Sequence, residues 1–372
     1  MTVDDVNTVI DFVPIKKLNV SAYKIPTDAP EADGTIQWNS TTLVLVELEA
    51  GNKTGIGYTY ADEATAFFID RSLKELVVHQ NALDIQGINS FLTKQIRNSG
   101  TCGIAMMAIS AIDNALWDLK AKIFDVPLCK LIGQVKEFMF IYGSGGFTSY
   151  NKKQLQQQFS KWAEQGVQYM KMKVGTHPEK DVQRVKDARE VLNDDVQLMI
   201  DANGAYTAKQ ALQKANEVLP YNVTWFEEPV SSDNLEGLHF IREHAPAQMN
   251  IAAGEYGYHL PCFKAMLQAK AVDVLQADAT RCGGITNFLK AGFLCEAHQL
   301  PFSSHCAPAL HLHAAVCLPS FFISEYFHDH ARIEQMLFDG VPAVENGVIK
   351  PDLSHPGFGF EFKYKDSKKY KL

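Results

Sequence analysis

Two lysines, Lys171 and Lys173, stand one residue apart in the apolar run VQYMKMKVG, and a strand there would turn both to the same face. Ammonium groups held that close disfavour each other's charge, and a lysine tuned downward in this way can take a proton from carbon. Six more ionisable residues end short apolar runs: Asp201 (VQLMID), Glu227 (VTWFEE), Glu255 (MNIAAGE), Asp278 (VDVLQAD), His305 (LPFSSH) and Glu325 (FFISE). Burying so many charges together costs several kcal/mol each unless they are paired or bind metal. Asp201, Glu227 and Glu255 come in succession and offer only oxygen. Such a set suits a hard divalent ion, Mg²⁺ ahead of Ca²⁺, because water and substrate can complete the octahedron; zinc would recruit His or Cys. A carboxylate at a strand–helix junction can also simply cap the helix, but three in a row favour the metal. Asp278 falls on the strand next to that of His305, near enough to orient and charge the imidazole. His311 and His313, in ALHLHAAVCL, read as structural. The chemistry implied is removal of the proton α to a carboxylate. Mg²⁺ would stabilise the resulting enediolate dianion, with a lysine on one side and a His–Asp pair on the other.

The elements that must position these residues show in the same runs. With Ser144 (FMFIYGS) there are eight polar-ended runs, 20 to 29 residues apart, and helix-like stretches such as EKDVQRVKDAREVL lie between most of them. Strand, loop, helix and loop consume about that much chain, so this is a βα repeat. Eight repeats match a closed (β/α)₈ barrel, whose strand ends meet at one mouth; a doubly wound open sheet is the alternative. The first 135 or so residues differ. TTLVLVELEA and TGIGYTYA alternate around GNK as a hairpin, and IAMMAISAIDNALWDLKAKIFD follows as a helix, which together suggest an α+β unit. The segment PTDAPEADGT (26–35) reads as a mobile loop. Beyond 344, GFGFEFKYK reads as a strand with no helix after it, expected to return to the N-terminal unit. The expected division is thus 1–135 for the α+β unit, 136–344 for the barrel and 345–372 for the returning segment.

Composition narrows the class. The 372 residues are 46% hydrophobic and 21% charged, with a formal charge of −8 and a pI of about 5.8, which argues against nucleic-acid or anionic-membrane surfaces. No apolar run approaches the roughly 20 residues of a membrane helix. MTVDDVNTVIDF lacks the order of a signal peptide. Seven scattered cysteines without a CxxC pair read as reduced thiols, which points to the cytoplasm.

Taken in order and spacing, KMK, DAN, WFEEP, AAGE, QADATRCGGIT and SSH resemble the enolase superfamily, specifically its mandelate racemase subgroup, over nearly the whole chain. AISAIDNALWDLKAK resembles part of that group's capping domain. The resemblance implies a modified TIM-type barrel with an N-terminal α+β cap completed by the C-terminal tail. It implies one Mg²⁺ per subunit on Asp201, Glu227 and Glu255, and Lys173 as an acid/base whose pKa Lys171 lowers. Asp278 and His305 would form the dyad on the opposite face. Glu325 would hydrogen-bond the substrate carboxylate, and Asn203 would contact substrate or metal ligands. A lysine in place of Asp278 would have pointed to the muconate-lactonizing subgroup. Specificity in this superfamily resembles a property of the cap loops, here 26–40 with Trp38 and 57–63 with Tyr58 and Tyr60. The expected reaction is dehydration of a sugar acid to a 2-keto-3-deoxy acid. Racemisation or epimerisation and lactone cycloisomerisation are the alternatives, and a non-catalytic binding scaffold is a remote one because no ligand or base is missing. The expected partner is a small carboxylate, with no nucleic acid or membrane, in a homo-oligomer.

Overall fold

The computed structural model describes residues 12–372; the run MTVDDVNTVID, compared above with a signal peptide, lies outside the described residues. Strands β1 (Lys17–Ala32), β2 (Gln37–Ala50) and β3 (Lys53–Tyr60) form an antiparallel sheet. Gly51 and Asn52 both hold positive φ between the paired Ala50 and Lys53, the two-residue turn that the GNK sequence favours. Helix α1 (Ile104–Ile123) lies directly on β3. A Cβ at Gly57 would come within 2.4 Å of the Ala111 carbonyl, so bare backbone at this position lets the helix approach.

Strands β4 (Met139–Gly145), β5 (Tyr169–Lys173), β6 (Gln197–Asp201), β7 (Val223–Glu227), β8 (Asn250–Ala253), β9 (Val274–Ala277), β10 (Phe302–Ser304) and β11 (Phe321–Phe327) pair in parallel in that order. β11 then pairs with β4, from Ser324 against Ile141 to Phe327 against Ser144, and closes the ring. The barrel is closed, and the open-sheet alternative is excluded. Its interior below the mouth is filled by residues such as Tyr142, Met199, Trp225 and Ile323. This is a packed core and not a pore.

The polar residues of α1 bind the loop and helix that follow β9. The Asn114 amide nitrogen donates to the Ala279 carbonyl at 3.0 Å, and its oxygen accepts the Ile285 amide at 3.0 Å. Asp113 accepts the Thr286 amide at 3.0 Å. These two side chains cap the N-terminus of α2 (Gly284–Ala297) from another segment of chain. Among the described residues, no helix is long and apolar enough to cross a membrane.

Two expectations change. Segment 26–35 is not a free loop. β1 continues through Ala32, its register with β2 shifting between Pro26 and Glu31. One Asp33 oxygen accepts the Thr35 and Ile36 amides at 2.6 and 2.8 Å, and the Asp33 carbonyl accepts the hydroxyls of Thr148 and Thr176 from barrel loops. Local turn chemistry suggested mobility, and contacts distant in sequence remove it. In GFGFEFKYK only Glu361–Phe362 is strand, paired with Phe338–Asp339. The return to the cap begins within this stretch, where the Phe358 amide donates to Asp118 of α1 at 2.9 Å, and continues to Leu372, whose amide donates to the Ala22 carbonyl at 3.0 Å.

Within this stapled segment Glu31 is fully buried and accepts the Trp38 indole N–H at 2.8 Å. Burial, reinforced by Asp329, pushes its carboxyl up to about 9 from an ordinary 4.5. A raised folded-state value means stability fully present below about pH 4.5 and progressively lost toward pH 9. Glu31→Gln keeps an acceptor for Trp38 and cannot ionise. Its melting temperature relative to the parent should therefore rise steadily between pH 5 and pH 9, and a flat difference across that range would contradict the buried neutral carboxyl.

Candidate active site

Lys173, Asp201 and Glu227 are the last residues of their strands. Glu255, Asp278 and His305 follow β8, β9 and β10 within two residues, and Glu325 lies within β11. The closed ring thus brings all seven to one mouth. One oxygen from each of Asp201, Glu227 and Glu255 lies within 4.8 Å of the others.

The lysines are buried among these carboxylates. Lys171 is fully buried, pairs with Glu227, and lies 2.8 Å from Glu325 and 3.4 Å from Asp201. Lys173 sits 2.5 Å from Asp201. Burial pulls each ammonium down, but the carboxylates outweigh it: Glu227 and Glu325 hold Lys171 well above the ordinary range, and Asp201 raises Lys173. The expectation that Lys173 is tuned toward neutrality is therefore not met in this arrangement. Lys171 does oppose the charge on Lys173, as expected, but the surrounding negative charge is larger.

His305 Nδ1 is 2.8 Å from Asp278, so this nitrogen carries the hydrogen and Nε2 is left for chemistry. Nε2 lies 3.4 Å from Glu255 and 3.2 Å from the Cys306 sulfur. Burial would raise the Asp278 carboxyl, but the hydrogen bond and charge of His305 hold it below the ordinary range. The Asp278 loop is itself fixed from behind. The Ala279 amide donates to His311 Nε2 at 2.8 Å, which assigns the His311 proton to Nδ1, facing the carbonyls of Cys306 and Ala307. His311 and His313 are fully buried, and His313 accepts the Cys129 amide, so both act as structural residues.

Above this floor lies a cavity of about 380 Å³ roofed by the cap, within the usual range for small-molecule sites. Trp38, Tyr60 and Asn203 line it. Tyr58 does not. It is fully buried, donates to Glu334 at 2.5 Å and packs on Phe338. Tyr58 and Tyr60 share a face of β3, but only the residue nearer the strand end reaches the mouth. Glu325 lies beneath the cavity, with its oxygens taken by Ser144 (2.6 Å), Lys171 and the Cys306 amide (2.9 Å).

Glu228 and Arg281 were quoted within motifs but given no role by the sequence. Glu228 is buried, has φ +36°, and is raised well above the carboxylate range by burial and by Glu255, Asp201 and Glu227. Arg281 Nη1 lies 3.4 Å from Glu255, and its guanidinium sits over the Tyr256 ring. The signal for Glu228 was the doubled glutamate of WFEEP; for His330, also in the cavity wall, there was none.

The residues fit a hard cation. Among the described residues, Asn203 Oδ1 and Glu228 Oε1, beside the oxygen-only trio, and Glu255 Oε2 within it are buried acceptors without a hydrogen-bond partner. Unpaired buried oxygens around a carboxylate cluster are what a divalent ion satisfies.

Family models match this chain in two stretches: residues 21–133 as the mandelate racemase / muconate lactonizing enzyme N-terminal domain, and 154–367 as enolase C-terminal domain-like. The chain belongs to the enolase superfamily, in its mandelate racemase group. A 3,6-anhydro-α-L-galactonate cycloisomerase of Streptomyces coelicolor is 31% identical over 93% of this chain and 96% of its own. An arabinonate dehydratase of Saccharolobus solfataricus is 27% identical over 86% of this chain and 88% of its own. In structure, a mandelate racemase/muconate lactonizing enzyme-like protein from Rubrobacter xylanophilus superposes with a TM-score of 0.94 at 46% identity, covering 96% of this chain and all of that one. An L-talarate dehydratase from Polaromonas sp. JS666, complexed with Mg and L-glucarate, gives 0.88 at 28% identity, with 97% and 98% covered.

Removing Lys171 tests the charge balance directly. Lys171→Met leaves buried carboxylates unmatched, and the metal-free protein should lose about 3–5 kcal/mol in urea unfolding. Saturating Mg²⁺ should recover much of that loss. Unchanged stability without metal would show that Lys171 does not hold the carboxylates together.

Proposed function

We propose that the chain is a Mg²⁺-dependent acid-sugar dehydratase. The observation that carries this reading is a pair of acid–base side chains, Lys173 and His305, facing one cavity beside a cluster of oxygen donors. They come from β5 and from just past β10, with β4 and β11 between those strands on the short way round the ring.

Asp201, Glu227 and Glu255 would hold the metal, with Glu228 and Asn203 as further oxygens beside it. Bound there, Mg²⁺ would supply positive charge to the substrate carboxylate and acidify the neighbouring C–H. Lys173 Nζ takes the α-proton; Asp201 favours its charged form, a cation held by Asp201 would offset that, and Lys171 beneath it opposes the charged form. Asp278 keeps the His305 proton on Nδ1 in the neutral ring and stabilises the imidazolium, from which Nε2 protonates the departing β-hydroxyl. Tautomerisation then gives a 2-keto-3-deoxy acid. The arabinonate dehydratase relative supports this reaction, and the Polaromonas neighbour's complex with Mg and L-glucarate supports the metal and a sugar-acid substrate.

The cycloisomerase relative favours a second reading. The same two groups could take a proton on one side of a ring and return it on the other.

Proton NMR in D₂O with Mg²⁺, against a panel of sugar acids and their lactones, separates the two. Loss of the α-proton signal with a new deuterated methylene is expected; exchange with the skeleton otherwise intact, or ring isomerisation, would overturn dehydration. Lys173→Ala and His305→Ala should each lower kcat by about 10²–10⁴-fold. His305→Ala should still exchange the α-proton, since Lys173 takes it.

A further inference from the structure

Relatives of this chain include proteins named for a monoacid, arabinonate, and for diacids, talarate and galactarate, so likeness alone does not choose between them. The charges in the cavity wall do. A substrate with its reacting end at Lys173 and His305 extends its other end toward the roof. There the wall is formed by Asp33, Trp38, Ser40, Thr42, Tyr60 and Asp62. These are hydroxyls, aromatic rings and two carboxylates.

Among the described residues, the charged cations in the wall lie against the carboxylates of the floor and not at the roof. Lys173 is paired with Asp201, and His305 with Asp278. Arg281 lies 3.4 Å from Glu255 and 3.8 Å from Asp278. His330 stacks on the Tyr60 ring at 3.5 Å, and burial holds it down to about 3, so it is neutral. It brings no positive charge to a carboxylate there. Arg332, the next arginine along, is bound to Asp329 and the Pro26 carbonyl and lines a separate cleft. A carboxylate at the far end of the substrate would meet Asp33 and Asp62 and no free cation. Hydroxyls there would meet donors and acceptors.

We propose that the substrate is a polyhydroxylated acid with one carboxylate, an aldonic acid, and that Asp33 and Asp62 exclude aldaric acids. The proposal rests on the reading that the reacting carboxylate lies at the metal cluster.

The test is calorimetric binding to the Mg²⁺-loaded full chain of aldonate and aldarate pairs of matched configuration, gluconate with glucarate and galactonate with galactarate among them. The tightest ligand should be an aldonate, at least about tenfold ahead of its aldarate, because like charges face each other in the second case. Asp62→Asn, at an exposed position, should narrow that gap by strengthening the aldarate alone; Asp33→Asn should do the same if its melting temperature shows that the turn still forms. An aldarate as tightest ligand, no binding by any monoacid, or a gap unmoved by Asp62→Asn would overturn the proposal. Binding and chemistry are read separately. If an aldonate binds tightest yet keeps its α-proton in D₂O, proton abstraction fails and the selectivity stands.

Discussion

Charge neutrality in a buried barrel mouth is the constraint on which this molecule turns. Strand ends converge there, and the sequence places two ammonium groups and a larger number of carboxylates at those ends. None could be buried alone at tolerable cost. Lys171 resolves most of the conflict by pairing with three strands' carboxylates at once. The same lysine that opposes charge on Lys173 is thus also the fastener that keeps Asp201, Glu227 and Glu325 close together. The oxygens it leaves unpaired, on Glu228, Glu255 and Asn203, lie where positive charge is still wanted. Structural balance and catalytic readiness are two views of one arrangement.

The barrel was legible because its period is carried by burial. Each strand shows as an apolar run with a polar end, and those ends are where the site residues stand. Lys173, Asp201 and Glu227 end their strands as the runs suggested. The cap was legible only in part. Its hairpin shows in alternation and in GNK, but nothing local in PTDAPEADGT reveals that Thr148 and Thr176 hold the Asp33 carbonyl from distant loops. Tyr58 and Tyr60 look equivalent in sequence, and their different fates depend on how far the strand end projects over the barrel. The direction of the Lys173 shift was missed for a related reason. Spacing along one strand shows the lysine neighbour, while the carboxylates that dominate come from other strands.

Chemistry and selectivity occupy different parts of the chain. The groups proposed to react stand on eight-fold repeated architecture, fixed by register. The groups that line the cavity roof stand on one hairpin and on the turn that Asp33 caps. The two parts are bound by buried polar contacts, Tyr58 to Glu334 and Asn114 to Ala279, so the roof is held at a set height over the floor.

Leu372 hydrogen-bonds to the first strand, 350 positions back in sequence at Ala22. During synthesis β1, β2 and α1 emerge early, yet α1's partners on the β9 loop and β1's partner at Leu372 come much later. The contacts of the cap with the β9 loop and with Leu372 can therefore form only after the chain through those residues has been made. Such long-range closure slows folding and exposes apolar surface while it lasts. Sequence distance, and not only contact area, thus sets when roof and floor can be joined.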